Sequence, residues 1–137
     1  MCLFVCLRYC LSNKYGSERE LRSLIDAAHN LGLNCCADIV LNHRCGVYKD
    51  AMDQWTIYEA PQWGPWAVVS NNLQGYKGAF GCIDTGVSVH CAPDIDHTNT
   101  FIQEDILLWI NWLHKHVGFD AFRIDMAGGY AAKYQES

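Results

Sequence analysis

Several features that would assign this chain at once are missing from it. Its eight cysteines (Cys2, Cys6, Cys10, Cys35, Cys36, Cys45, Cys82, Cys91) include no Cys-x-x-Cys pair and no zinc-finger grid. Nothing in their spacing supports a disulfide framework, so reduced thiols are expected. There is no basic run. The ten Lys and Arg are scattered and the net charge is -5 with His neutral, so neither nucleic acid nor an anionic membrane is an expected partner. There is no apolar run long enough to cross a bilayer. The apolar opening, MCLFVCLRYCL, is far too short for that, and it lacks a charged n-region and a small-residue cleavage site. It reads as a buried strand or a truncated start, which favours an intracellular compartment, cytoplasm or plastid. No internal repeat or low-complexity tract occurs, and nothing in the sequence specifies an oligomeric state.

What is present suits one soluble globular domain: 137 residues, 50% hydrophobic and 18% charged. Aromatic residues make up 12%, with five Trp. That content suits sugar contact and equally suits an ordinary core, the simpler account.

Apolar periodicity predicts a helix over residues 17–31, with Leu21, Leu24, Ile25 and Ala28 as its inward stripe. Ser17 and Glu20 form a capping box, and Gly32 supplies the stop. Residues 33–41 read as a strand buried on both faces, with Cys35 and Cys36 acting as small apolar residues. A second helix is predicted over residues 98–117, with Ile102, Ile106, Trp109, Ile110, Leu113 and Val117 inward. Thr100 and Gln103 are its candidate caps, and Gly118 ends it. Residues 119–124 form a second strand. Helices alternating with buried strands indicate a parallel α/β sheet or barrel. Between the first strand and the second helix lie about 54 residues, where a few are usual. This excursion is rich in Gly, Trp, Tyr and Asn. It reads as an irregular inserted subdomain at the carboxyl end of the strand, the end that carries active sites in barrels.

Three strand-end pieces could carry chemistry. In GFDAFRID, Arg123 and Asp125 are two apart on a strand and so share a face. A fixed guanidinium favours the ionised carboxylate that a nucleophile requires, although an ordinary Arg–Asp ion pair is the simpler account of that spacing alone. In DIVLNH, Asp38 and Asn42 are four apart and also share a face. Asn42 offers a carbonyl oxygen to a hard cation, and His43 a donor to a sugar hydroxyl; plain polar strand-end residues are the alternative. In APDIDH, Asp94 is a candidate calcium ligand, whereas Asp96, just ahead of the second helix, reads as a helix cap.

In this order and spacing, DIVLNHRC, CAPDIDHTN and GFDAFRIDMAGGY, preceded by YGSERELRSLI, resemble the alpha-amylase family of glycoside hydrolases, its plant and algal branch in particular. The resemblance runs from Tyr15 to about Tyr134. It implies part of a (β/α)8 barrel, residues 1–43 and 98–137, holding the third and fourth strands. Residues 44–97 would be a calcium-associated inserted subdomain. The implied reaction is retaining hydrolysis of internal α-1,4-glucosidic bonds in starch and related glucans. Carried over by position, Asp125 is the nucleophile, Arg123 its ion-pair partner and His43 a sugar-binding residue. Asn42, Asp94 and the carbonyl of Gly129 resemble calcium ligands, joined by Asp84 and the carbonyl of Val87. Retention requires a second carboxyl group about 5–5.5 Å from the first. In the family it comes from the fifth strand, beyond the motifs found here, and Glu136 is not at such a position. The chain alone is therefore expected to be inactive, the alternative being a non-catalytic glucan-binding remnant. Gly128 stands where relatives often carry Lys or Arg. Ser88, Asn71 and Asn72 stand where plant relatives often carry acids, so further calcium sites are not expected. A competing Cys/His metal reading draws on His90, Cys91 and the Cys2, Cys6, Cys10 series.

Overall fold

A computed structural model describes residues 8–77 and 79–134. Most of the apolar opening, with Cys2, Cys6 and Glu136, lies outside the described residues.

Helix α1 spans Glu18–Asn30. Its capping box is formed as predicted. The Ser17 hydroxyl accepts from the Glu20 N–H at 3.3 Å, and the Glu20 carboxylate accepts from the Ser17 N–H at 2.8 Å. The chain leaves the helix through Gly32 at φ +72°, where an L side chain would be strained. Ile25 is buried, Leu21 is half-buried, and Leu24 is exposed. The inward stripe is thus narrower than the periodicity suggests.

Strands β1 (Cys36–Val40) and β2 (Ala121–Asp125) pair in parallel, with Asp38 opposite Arg123 and Val40 opposite Asp125. β1 is not buried on both faces. Ala37 and Ile39 point into the core, while Cys36 and Asp38 are exposed. Cys36 therefore does not act as a core residue, and Cys35 is only half-buried. The reason lies in the pairing: helices pack one face of this two-stranded sheet, and the described residues leave the other open.

Helix α2 (Thr100–Trp112) continues as a π-helical turn, Leu113–Val117, and Gly118 ends it at φ +106°. Its N-cap is Asn99, whose side chain accepts from the Phe101 N–H at 3.0 Å. Thr100 is already helical, and the Gln103 amide instead donates to the His97 carbonyl. The predicted cap was thus one residue late. Ile102, Ile106, Leu113 and Val117 fill the core, and Trp109 and Ile110 pack against it.

The excursion has little regular structure: one short 3-10 turn (Pro65–Ala67) and the isolated bridges Tyr48↔Ile57, Val68↔Ile95 and His43↔Asp94. Tyr58, Trp63, Ala67, Val68 and Ile95 join the same buried cluster as Ile25, Ile39 and Ile102. Among the described residues no helix is long and apolar enough to cross a membrane.

Candidate active site and cation corner

The carboxyl ends of β1 and β2 lie side by side because the strands are parallel and in register. Arg123 Nη1 donates to both oxygens of Asp38 at 2.7 Å, and Nη2 donates to Asp125 at 3.2 Å. The two carboxylates hold the guanidinium charged, the Asp38 bond contributing most. All three side chains stand on the open face, at 60%, 59% and 47% exposure for Asp38, Arg123 and Asp125. After Asp125 the chain turns sharply. Met126 is left-handed at φ 56°, and a 3-10 turn follows over Ala127–Gly129. A sparsely populated conformation directly after a candidate nucleophile is typical of functional strand ends.

Asp38 and Asn42 do not share a face. β1 ends at Val40, so alternation stops before Asn42, which is fully buried. Asn42 Nδ2 donates to Asp94 Oδ1 at 2.9 Å, and Asp94 is fully buried as well. The other amide atom, Asn42 Oδ1, is buried without a hydrogen-bond partner. It faces the backbone of Gly129 so closely that a Cβ there would lie 2.1 Å away. Gly86 lies against Gly129 in the same way, and the Val87 N–H donates to the Gly128 carbonyl. Asp84 joins through local bonds, accepting from the Gly86 N–H and the Ser88 hydroxyl. Burial pushes Asp94 up to about 6. The Val89 N–H, Ser88 and Asn42 counter that, while the negative charge of Asp84 adds to it. Asn42, Asp94 and Gly129 thus lie together, Asp84 is near enough for its charge to act on Asp94, and Val87 is tied to the neighbouring turn through its N–H. An orphaned buried carbonyl oxygen beside two mutually repelling carboxylates, all hard oxygen donors, fits a calcium-class cation.

His43 bridges the two clusters. It pairs with Asp94 across an isolated bridge, and its Nε2 lies 3.3 Å from Cys91 Sγ. Burial lowers its pKa, opposed by the charge of Asp125. Cys91 is thus engaged with His43, and the described residues bring no ligand set around His90 and Cys91. Asp96 is structural, as read, but it is not the helix cap. It accepts from the Cys82 and Thr98 N–H groups and from the Thr98 hydroxyl, closing the turn ahead of α2. Ser88 and Asn71 both bind Asp84, the latter through the Asp84 N–H, and Asn72 accepts from the Gln74 N–H.

The sequence reading passed over Tyr130, whose ring stacks on His97 at 4.0 Å and braces the turn that carries Gly129. An aromatic immediately after a Gly-Gly pair was the available signal. Two open concavities, of about 460 and 480 Å³, lie elsewhere, the second bordered by Trp63, Trp66 and Phe101. Neither borders Asp125, because the candidate chemistry stands on a flat sheet face.

No protein-family model matches the chain. It is 33% identical over 134 residues to alpha-amylase 3, chloroplastic, of Arabidopsis thaliana, covering 94% of this chain and 15% of that protein. It is 37% identical over 128 residues to probable alpha-amylase 2 of the same plant, covering 92% of this chain and 30% of that protein. Its fold matches an alpha-amylase from Malbranchea cinnamomea with a TM-score of 0.71 at 19% identity, over 96% of this chain and 28% of that one. These neighbours are barrel proteins, and the described strands and helices correspond to part of such a barrel. The chain thus spans less than a third of the length of each of these relatives. The motifs at the ends of two parallel strands and a likeness that runs through more than nine-tenths of the chain agree: it belongs to the alpha-amylase family of glycoside hydrolases.

Proposed function

We propose that these residues supply the nucleophile half of a retaining, endo-acting alpha-amylase site for α-1,4-glucosidic bonds in starch and related glucans. One observation carries the reading: Asp125 stands at the carboxyl end of a strand, on an open face, hydrogen-bonded to Arg123 with His43 nearby. In this reading the Asp125 carboxylate attacks the anomeric carbon. The glycosidic C–O bond breaks as a carboxylic acid protonates the leaving oxygen, and water then cleaves the glycosyl ester with that group acting as base. His43 hydrogen-bonds the sugar. Asp38 is unsuited to the acid role, because both its oxygens already accept from Arg123. Arg123 in turn orients Asp125.

Asn42, Asp84, Asp94 and the carbonyls of Gly129 and Val87 would hold a calcium ion. Its charge would fasten residues 44–97, as an inserted subdomain, to the strand ends. The ion takes no part in bond cleavage in this reading.

The second carboxyl group is not among the motif residues, so the 137-residue chain is expected to release no reducing sugar from soluble starch. Calcium-dependent release that disappears in Asp125→Asn would show the acid/base to lie within this chain. The nucleophile role itself is tested in a chimera in which residues 15–134 replace the matching stretch of the Arabidopsis probable alpha-amylase 2. Sugar release by the chimera that survives Asp125→Asn would refute the assignment.

A further inference from the structure

At the opposite ends of the same two strands, three side chains of different chemistry converge. His29 lies in the last turn of α1, Cys35 immediately precedes β1, and Asp120 immediately precedes β2. Their donor atoms all lie within 4.8 Å of one another. We propose that His29, Cys35 and Asp120 form a binding site for a divalent transition ion of the zinc class.

The site is built by strand pairing. The Cys35 N–H donates to Asp120 Oδ2 at 2.7 Å, and the Asp120 N–H donates back to the Cys35 carbonyl at 2.8 Å. This reciprocal clamp fixes the two backbones. His29 Nε2 meets the same carboxylate oxygen at 2.9 Å. An ion pair accounts for His29 and Asp120, but it does not explain a free thiol completing the cluster. Imidazole nitrogen, thiolate sulfur and carboxylate oxygen are a zinc donor set, and sulfur is a poor ligand for calcium. The Cys35 N–H, followed by His29, draws the Asp120 pKa below its usual value, and His114 contributes in the same direction. His114 itself donates from Nδ1 to the Phe119 carbonyl at 2.7 Å. A bound ion would tie the end of α1 to the entries of both strands, with water in the remaining position. Its soft donors separate this site from the all-oxygen corner at the other strand ends.

The test is titration of the full, reduced, chelator-stripped chain with Co²⁺. The expected result is one equivalent bound with a near-ultraviolet thiolate-to-cobalt band, displaced by Zn²⁺. Cys35→Ser abolishes the band, and Cys36→Ser, one residue away, leaves it intact. His29→Ala, at an exposed helix end that does not carry the fold, weakens cobalt binding at least about tenfold. Absence of a thiolate band, its persistence in Cys35→Ser, or unchanged affinity in His29→Ala would overturn the site.

Discussion

The carboxyl ends of the two strands carry two polar clusters of opposite character. One is an open face, where Asp38, Arg123 and Asp125 stand about half exposed and, among the described residues, bond to each other. The other is a closed corner, where Asn42 and Asp94 are fully buried and packed against Gly129. Charges in the first are screened by solvent, and their bonds contribute little to folding. Polar groups in the second must be matched, because an unsatisfied buried one costs about 1–3 kcal/mol. In the proposed reading the open face carries the chemistry, and the closed corner holds its support in place.

The comparison breaks most visibly if the open face proves dispensable for activity. In the chimera, Asp125→Asn should lower sugar release by about ten-thousand-fold, the scale on which loss of one member of a catalytic set is felt. Its melting temperature should hardly move, because Asp125 is about half exposed and its bond to Arg123 is screened by solvent. A drop in stability that parallels the drop in activity would make Asp125 a structural residue.

The closed corner should behave in the reverse way. If it binds calcium, saturation at a hundred times Kd stabilises the chain by about 2.7 kcal/mol, read as a melting shift between calcium and chelator. Asp94→Asn should remove most of that shift while keeping an isosteric side chain. A calcium shift of the same size in Asp94→Asn would move the ion elsewhere.

Adjacent glycines sharpen the contrast within one turn. Gly129→Ala drives a methyl into the Asn42 amide, since its Cβ would lie 2.1 Å from Oδ1. Overpacking of that kind costs about 1–3 kcal/mol. Gly128→Ala meets nothing within 4 Å and should cost less than about 0.5 kcal/mol. Denaturant midpoints of the two variants decide it, and equal values would mean that the turn does not pack on Asn42 as described.

Legibility in the sequence followed the range of the interaction. The α1 capping box was readable because Ser17 and Glu20 are three residues apart and need no partner elsewhere. The α2 cap was misplaced by one residue because Asn99, Thr100 and Gln103 are all plausible donors or acceptors, and only the backbone decides among them. Periodicity marked Ile25 and Leu21 on the inward face of α1 but drew in the exposed Leu24, and the apolar run of β1 read as buried on both faces although Cys36 and Asp38 are exposed. The closed corner was readable only through family likeness, since nothing local in a Gly-Gly pair announces a contact with Asn42, 87 residues earlier by number. The cluster of His29, Cys35 and Asp120 was missed for the same reason. Its signal exists only once Cys35 and Asp120 are recognised as residues that each immediately precede one of two paired parallel strands.

The smallest effect is expected where a cluster is exposed like the open face yet satisfied by its own local bonds. That place is the cap of α1. The bonds from the Ser17 N–H and hydroxyl hold Glu20 below its ordinary value. A carboxylate with a depressed folded pKa contributes stability that is present above the unfolded value, about 4.3, and is lost as pH falls through the folded one. Glu20→Gln keeps an acceptor for the same capping box without the charge. At neutral pH the variant should melt slightly below the parent. As pH drops below the ordinary glutamate range the two melting curves should converge, because only the parent has a proton to gain at this cap. A gap that stays constant through that range would mean that Glu20 acts on α1 through shape alone.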